Sequence, residues 1–87
     1  MFYLNYNYSN AKLAKRAINC VKRYKIKSEK ALRVKDIIEI SCPKLYNKLS
    51  RGDKCRIGRA VSIMYNQRML PHLTRENKKG ATNTYYC

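Results

Sequence analysis

Apolar residues recur at three- and four-residue intervals in two long stretches of the chain, which is the pattern of an amphipathic helix. The first stretch starts after Ser9 or Asn10, either of which can cap a helix N-terminus. We expect a helix of about fifteen residues there, close to the usual length of a helix in a globular protein. Its predicted core face consists of Leu13, Ala17, Cys20, Val21 and Tyr24.

The second stretch runs from Arg51 to Arg68. Ser50 is a suitable N-cap, and Asp53 follows it at the spacing of a capping box. Gly58 lowers helix stability by about 1 kcal/mol relative to alanine, so we expect it to permit the close approach of another element. The predicted core face consists of Ile57, Ala60, Val61 and Met64.

Shorter elements fill the rest of the chain. Residues 31–34 resemble a short strand that leads into a helix over residues 35–40, and Pro43 ends that helix because proline disfavours helical geometry in the residue before it. Residues 45–49 form a second apolar turn or helix. After Pro71, two segments rich in Thr, Leu and Tyr flank the turn-type residues 76–80, which predicts a β-hairpin.

The predicted order of elements is that of a winged helix-turn-helix. We therefore expect a mainly helical α+β fold with a C-terminal β-hairpin wing, formed as a single domain over residues 1–87. In it, residues 1–8 form a strand or extended arm, residues 9–68 the helical part and residues 69–87 the wing.

The charge of the chain indicates the class of partner that it binds. The 87 residues include 20 Lys and Arg against 5 Asp and Glu, which gives a formal net charge of +15. The basic residues alternate with apolar ones instead of forming a tail, as on a folded basic surface. Such an excess opposes folding by self-repulsion, and nucleic acid is the commonest polyanion that would compensate it.

The second long helix and the hairpin are the predicted contact regions. A recognition helix enters the major groove, where Arg pairs with guanine and Asn with adenine. A solvated helix face would also be charged, but it would mix signs, and Asp53 is the only acidic residue between Glu39 and Glu76. The predicted contacts are Arg51, Lys54, Arg59, Ser62, Asn66, Arg68, Arg75, Lys78 and Lys79.

Two further groups have open interpretations. Basic residues on the first helix form either a second contact surface or a solvated face: Lys12, Lys15, Arg16, Lys22 and Arg23. Tyrosines of the N-terminal segment suit base stacking or a homodimer contact: Tyr3, Tyr6 and Tyr8.

The sequence offers little support for an enzyme, a membrane-spanning protein or a secreted protein. The sequence contains no phosphate-binding loop, and five acidic residues are too few for a metal-dependent nuclease. We expect neither enzymatic activity nor a cofactor. No apolar run approaches the ~20 residues of a membrane span, and the N-terminus lacks the apolar core of a signal peptide. These features predict a cytoplasmic protein.

The cysteines are consistent with that compartment. They lack the close pairs of most structural zinc sites, so we expect reduced thiols rather than zinc ligands or disulfides. Cys20 and Cys55 are predicted as small core residues. The four cysteines are Cys20, Cys42, Cys55 and Cys87.

Several segments together resemble a known family: residues 34–37, 45–53 and 57–61, followed by Gly80 and the Tyr85-Tyr86 pair. They are similar to a family of short phage and mobile-element proteins with a small winged-helix-like fold. The resemblance covers residues 34–87. It implies a viral or plasmid setting, in which chains of this size regulate transcription or inhibit host defence, and it implies no catalytic residues.

These features predict a small basic nucleic-acid-binding protein, acting as a phage-type regulator on duplex DNA, with RNA as the other nucleic-acid candidate. The alternative is a phage-encoded inhibitor of a host defence nuclease, an anti-CRISPR protein. It would engage guide RNA or an acidic channel in a host nucleoprotein complex. A third hypothesis is an interaction module that docks on an acidic protein.

Overall fold

A computed structural model of the chain describes residues 7–27, 30–76 and 83–87. The fold of this part is α+β and mainly helical, as predicted. Its elements are α1 (Ala11–Arg23), α2 (Val34–Ser41), α3 (Pro43–Lys48), α4 (Arg51–Asn66), β1 (Thr74–Glu76) and β2 (Thr84–Tyr86).

Helix α1 begins where the capping signal predicts. Asn10 Oδ1 accepts a hydrogen bond from the Leu13 backbone N–H at 3.2 Å, which satisfies one of the donors left free at a helix N-terminus. The predicted core face was partly wrong, because Leu13 and Cys20 lie at its edge and are only partly buried. Its fully buried helical positions are Ala14, Ala17, Ile18 and Val21.

Of the predicted strand over residues 31–34, only Leu32 pairs with the hairpin in the structure. Leu32 exchanges two backbone hydrogen bonds of 2.8 Å with Tyr85 of β2, and Val34 already belongs to α2. The reason is the spacing of Val34, Ile37 and Ile38, which places all three on one buried helix face. The chain therefore continues as a helix instead of extending the sheet.

Helix α4 begins at the predicted cap, where Ser50 Oγ accepts the Asp53 N–H at 3.1 Å. It ends two residues before Arg68, which adopts the left-handed conformation with φ 62°. The Arg68 N–H donates to the Tyr65 carbonyl and the Met69 N–H to the Met64 carbonyl, both at 3.0 Å. This pair of bonds is a Schellman motif. The predicted core face of α4 is confirmed in full.

The helices and the hairpin share one buried core. In the antiparallel hairpin, Thr74 lies opposite Tyr86 and Glu76 opposite Thr84. Tyr85 is buried against Tyr65, with ring centroids 5.6 Å apart. In this way the hairpin packs against the C-terminal half of α4. Within the described ranges no helix is long and apolar enough to cross a membrane.

A disulfide joins Cys20 of α1 to Cys42 at the junction of α2 and α3. The prediction of four reduced thiols was wrong for this pair, because 22 residues separate the two cysteines in sequence and only the packing of α1 against α2 brings them together.

Cys55 was predicted as a core residue but is exposed, and Cys87 is partly buried. In the part of the chain that the structure describes, no group of His, Cys, Asp or Glu side chains is arranged to hold a metal ion.

His72 has a structural contact. Its Nε2 lies 3.1 Å from the Val21 carbonyl oxygen, and since a carbonyl can only accept, Nε2 is the donor. Val21 lies in the last turn of α1, where its carbonyl also accepts the Tyr24 N–H at 3.2 Å. His72 therefore fixes the segment after α4 to the end of α1.

The N-terminal arm and the hairpin tip lie largely outside the described residues. This applies to Tyr3 and Tyr6 of the predicted arm and to the turn that contains Gly80. Asn7 and Tyr8 are described and are not in a strand. Tyr8 is partly buried against the core, which differs from the exposed stacking position predicted for it.

Candidate nucleic-acid interface

The outward face of α4 forms the floor of a cleft of about 820 Å³. The first residues of α2 form one wall, Tyr46 of α3 contributes at one side, and Asn83 and Tyr85 of the hairpin complete the lining. The lining residues of α4 itself are Arg51, Lys54, Cys55, Gly58, Arg59 and Ser62.

Five cationic side chains line this cleft and no acidic side chain does so among the described residues. Arg33 forms an exposed ion pair with Asp36, at 3.5 Å, and exposed pairs of this kind contribute little. No carboxylate in the described ranges lies within ion-pair distance of the other four. The five are Arg33, Lys35, Arg51, Lys54 and Arg59.

Asp53, the only acidic residue of α4, points away from the cleft. It is 1% exposed, and its carboxylate accepts the backbone N–H groups of Ser9 at 2.7 Å and Asn10 at 3.1 Å. Arg56 also contacts it at 3.3 Å. Burial acts to raise the pKa of Asp53, but the two backbone hydrogen bonds and the Arg56 charge outweigh it, so the pKa lies below its ordinary value.

This arrangement shows why the predicted capping box is only half formed. Ser50 caps α4 as expected, whereas the Asp53 carboxylate joins the start of α4 to the start of α1. Because Asp53 is occupied in the interior, it does not neutralise the cations on the outward face of its own helix.

Lys54 is held within the cleft by an aromatic ring. Its Nζ lies 3.9 Å from the centroid of the Tyr46 ring, which is a cation–π contact. The contact restrains the lysine without removing its charge. On the hairpin side, Asn83 Nδ2 donates to Ser62 Oγ at 3.3 Å and so fixes that wall against the floor.

Gly58 differs from its prediction. A Cβ built at this position meets no atom within 4 Å, so no other element of the described chain approaches the helix there. The prediction of close packing was wrong. Gly58 is instead an open part of the cleft floor, and its cost to the helix is not offset by internal packing.

The structure divides the predicted contact residues into groups. Arg51, Lys54, Arg59 and Ser62 share the cleft. Asn66 and Arg68 line a separate depression of about 500 Å³ beyond the end of α4. The Arg75 guanidinium lies over the Tyr65 ring, 4.7 Å from its centroid. Lys78 and Lys79 lie outside the described residues.

The sequence did not indicate several residues of the lining, among them the polar or charged side chains of Arg33, Lys35, Tyr46 and Asn83. They come from three parts of the chain, and only the packing of those parts around α4 brings them together. A local signal existed for Arg33 and Lys35 alone, as two cations on either side of Val34 at the start of an apolar run.

A scan against protein-family models found no match, and searches of curated proteins and of solved structures found no significant match either. The resemblance to short phage and mobile-element proteins therefore stays a prediction. The cleft is the feature of the molecule from which a function can be inferred.

Proposed function

We propose that this chain is a small nucleic-acid-binding protein of winged-helix type, and that its cleft holds a phosphate backbone. The observation that carries the proposal is the convergence of five cationic side chains, from α4 and the start of α2, on one cleft without an acidic lining residue among those described.

The energetics support a polyanionic ligand. Like charges gathered in one concave site repel each other, and the field of such a cleft concentrates anions. Phosphates neutralise the cations and release condensed counterions, which is the main source of affinity in non-specific nucleic-acid binding. The cleft cations belong to a chain with a net charge of +15, which adds long-range attraction.

The shape of the cleft favours backbone contact over the reading of base edges. A helix with its side chains is about 10–12 Å wide and already fills a major groove of about 12 Å. The face of α4 is flanked by α2, α3 and the hairpin, which leaves little clearance for insertion. We therefore propose that a phosphate backbone, rather than base edges, lies between these walls, and we expect weak sequence preference.

Equilibrium binding to duplex DNA, single-stranded DNA and structured RNA at ~50 and ~200 mM salt tests the proposal. If all five cleft cations contact phosphates of duplex DNA, the slope of log K against log salt is about −4 to −5. Replacing Arg51, Lys54 and Arg59 by Gln should reduce the magnitude of that slope by about 3. Gln is a good helix former, so α4 should persist.

The matched control replaces Lys25, Lys27 and Lys44 by Gln. These side chains are exposed and lie outside the cleft, and the change in net charge is the same. We expect a clearly smaller loss of slope and affinity from the control. Equal losses would show that total charge, and not the cleft, determines binding.

The sequence preference of binding distinguishes the two predicted functions, a phage-type regulator and an inhibitor of a host defence nuclease. Tight binding to particular duplex sequences would favour the phage-type regulator, which has to find its own site among many. Weak binding without preference would favour the inhibitor of a host defence nuclease, which would apply the same cations to guide RNA or an acidic channel.

A further inference from the structure

Helix α1 carries a second cationic surface on the side that faces away from the core. Its exposed side chains recur at three- and four-residue intervals, while the buried positions of the same helix occupy the opposite side. The thirteen residues of α1 include no acidic residue. We call this surface the α1 face: Lys12, Lys15, Arg16, Asn19 and Arg23.

The N-terminal half of the α1 face opposes the stability of its own helix. Lys12 lies in the first turn, which has no acidic residue, although the positive end of the helix dipole favours acidic side chains there. Lys12 is also four residues from Arg16, and like charges at this spacing destabilise a helix. A face that served solubility alone would gain from mixed signs.

The α1 face and the cleft are separate surfaces. No residue of α1 lines the cleft, and on both α1 and α4 the cations lie opposite the buried positions through which the two helices join the core. The starts of the two helices are joined through Asp53, but packed helix axes are about 8–10 Å apart, so side chains on opposite outer sides of such a pair lie roughly 20 Å apart once both helix radii are included. This exceeds the Debye length of about 8 Å at physiological salt.

From this separation we infer that the protein binds two nucleic-acid segments at once, one in the cleft and one on the α1 face, and so bridges them. The inference rests on the proposed function. A phosphate backbone in the cleft is too distant to neutralise the α1 face, which stays available to a second backbone of the same chemistry. Nucleic acid fits this exposed face because phosphate contacts require only cations on an accessible surface.

A bridging assay tests the inference. One duplex is immobilised on beads, a second fluorescent duplex of the same length is added with limiting protein, and the captured fluorescence is measured. We expect capture by the wild type. The variant Lys12→Glu with Lys15→Glu reduces the charge of the α1 face from +4 to zero. Lys12→Glu places an acidic side chain in the first turn of α1, where the helix dipole favours it, and four residues before Arg16, with which it can form an ion pair. Both interactions should keep α1 folded.

The expected result for this variant is at least a ~10-fold loss of capture, with binding to a single duplex reduced much less. The control, Lys44→Glu with Lys48→Glu, makes the same charge change on exposed positions of α3 and should still bridge. Capture by the Lys12/Lys15 variant equal to wild type would overturn the inference and indicate bridging through protein dimers. A wild type that binds one duplex but captures no second would overturn the inference alone. A wild type that binds no nucleic acid would overturn the proposed function as well.

Discussion

Gly58 is the position at which helix stability and the shape of the cleft conflict. It lies in the interior of α4, where glycine is less favourable than alanine by about 0.8–1.0 kcal/mol. A Cβ added there meets no atom within 4 Å, so no steric cost reduces the gain. We therefore predict that Gly58→Ala stabilises the protein by about 1 kcal/mol.

Thermal and urea unfolding, followed by circular dichroism, measure this effect. For a domain of this size, 1 kcal/mol corresponds to an increase in Tm of about 4–8 °C. The urea midpoint should rise while the m-value stays the same, because the exposed surface of the unfolded chain hardly changes. A variant that is no more stable than the wild type would show that residue 58 is not in the interior of a helix or that the space beside it is filled.

Gly58→Leu separates stability from binding. Leucine is also a good helix former, so this variant should keep the gain in stability, but its side chain occupies the cleft floor. We expect Gly58→Ala to bind nucleic acid close to wild type and Gly58→Leu to lose affinity by ~10-fold, or about 1.4 kcal/mol. Full affinity in the leucine variant would mean that the ligand does not enter the cleft.

Three other predictions concern stability. Asp53→Asn should cost roughly 2–3 kcal/mol, because the buried carboxylate accepts charge-assisted hydrogen bonds. Since the folded pKa of Asp53 is lowered, its contribution is complete above about pH 4 and is lost as the pH falls through that pKa; urea unfolding at several pH values should show the wild-type advantage shrinking in acid. Cys20→Ser should lower stability by about 3 kcal/mol, as expected for opening a loop of this length, and should make unfolding insensitive to reductant; a shift with reductant would contradict the disulfide. Arg68→Gly should raise stability by about 1 kcal/mol, because glycine adopts the left-handed conformation of this position without the strain that a side chain causes. An unchanged Tm would show that the backbone of Arg68 is not strained.

The parts of the fold that the sequence predicted well depend on local signals. The starts of α1 and α4 follow from Asn10 and Ser50, whose side chains satisfy free backbone donors within three residues. The break at Pro43 is equally local. These features need no knowledge of the rest of the chain.

The failures depend on distant contacts. Asp53 fits a local capping box by its spacing, but its carboxylate finds stronger partners in the N–H groups of Ser9 and Asn10, more than forty residues away. The Cys20–Cys42 disulfide depends likewise on how α1 packs against α2.

The candidate site shows the same division. Periodicity placed Arg51, Lys54, Arg59 and Ser62 together on one face of α4, and the structure confirms that grouping. It could not reveal that this face is concave, since the walls come from other elements. The same periodicity placed Asn66 on this surface, whereas the cleft lining of α4 ends at Ser62, where Asn83 is bonded, and Asn66 lies in a different depression.

Nucleic acid that occupies the cleft should change the amide chemical shifts of the cleft residues. A short oligonucleotide titrated into ¹⁵N-labelled protein should shift the backbone amides of the cleft floor, with Gly58 among them, and those of Arg33 and Lys35 at the wall. Binding that leaves these amide shifts unchanged, even if amides of α1 shift, would show that nucleic acid does not occupy the cleft.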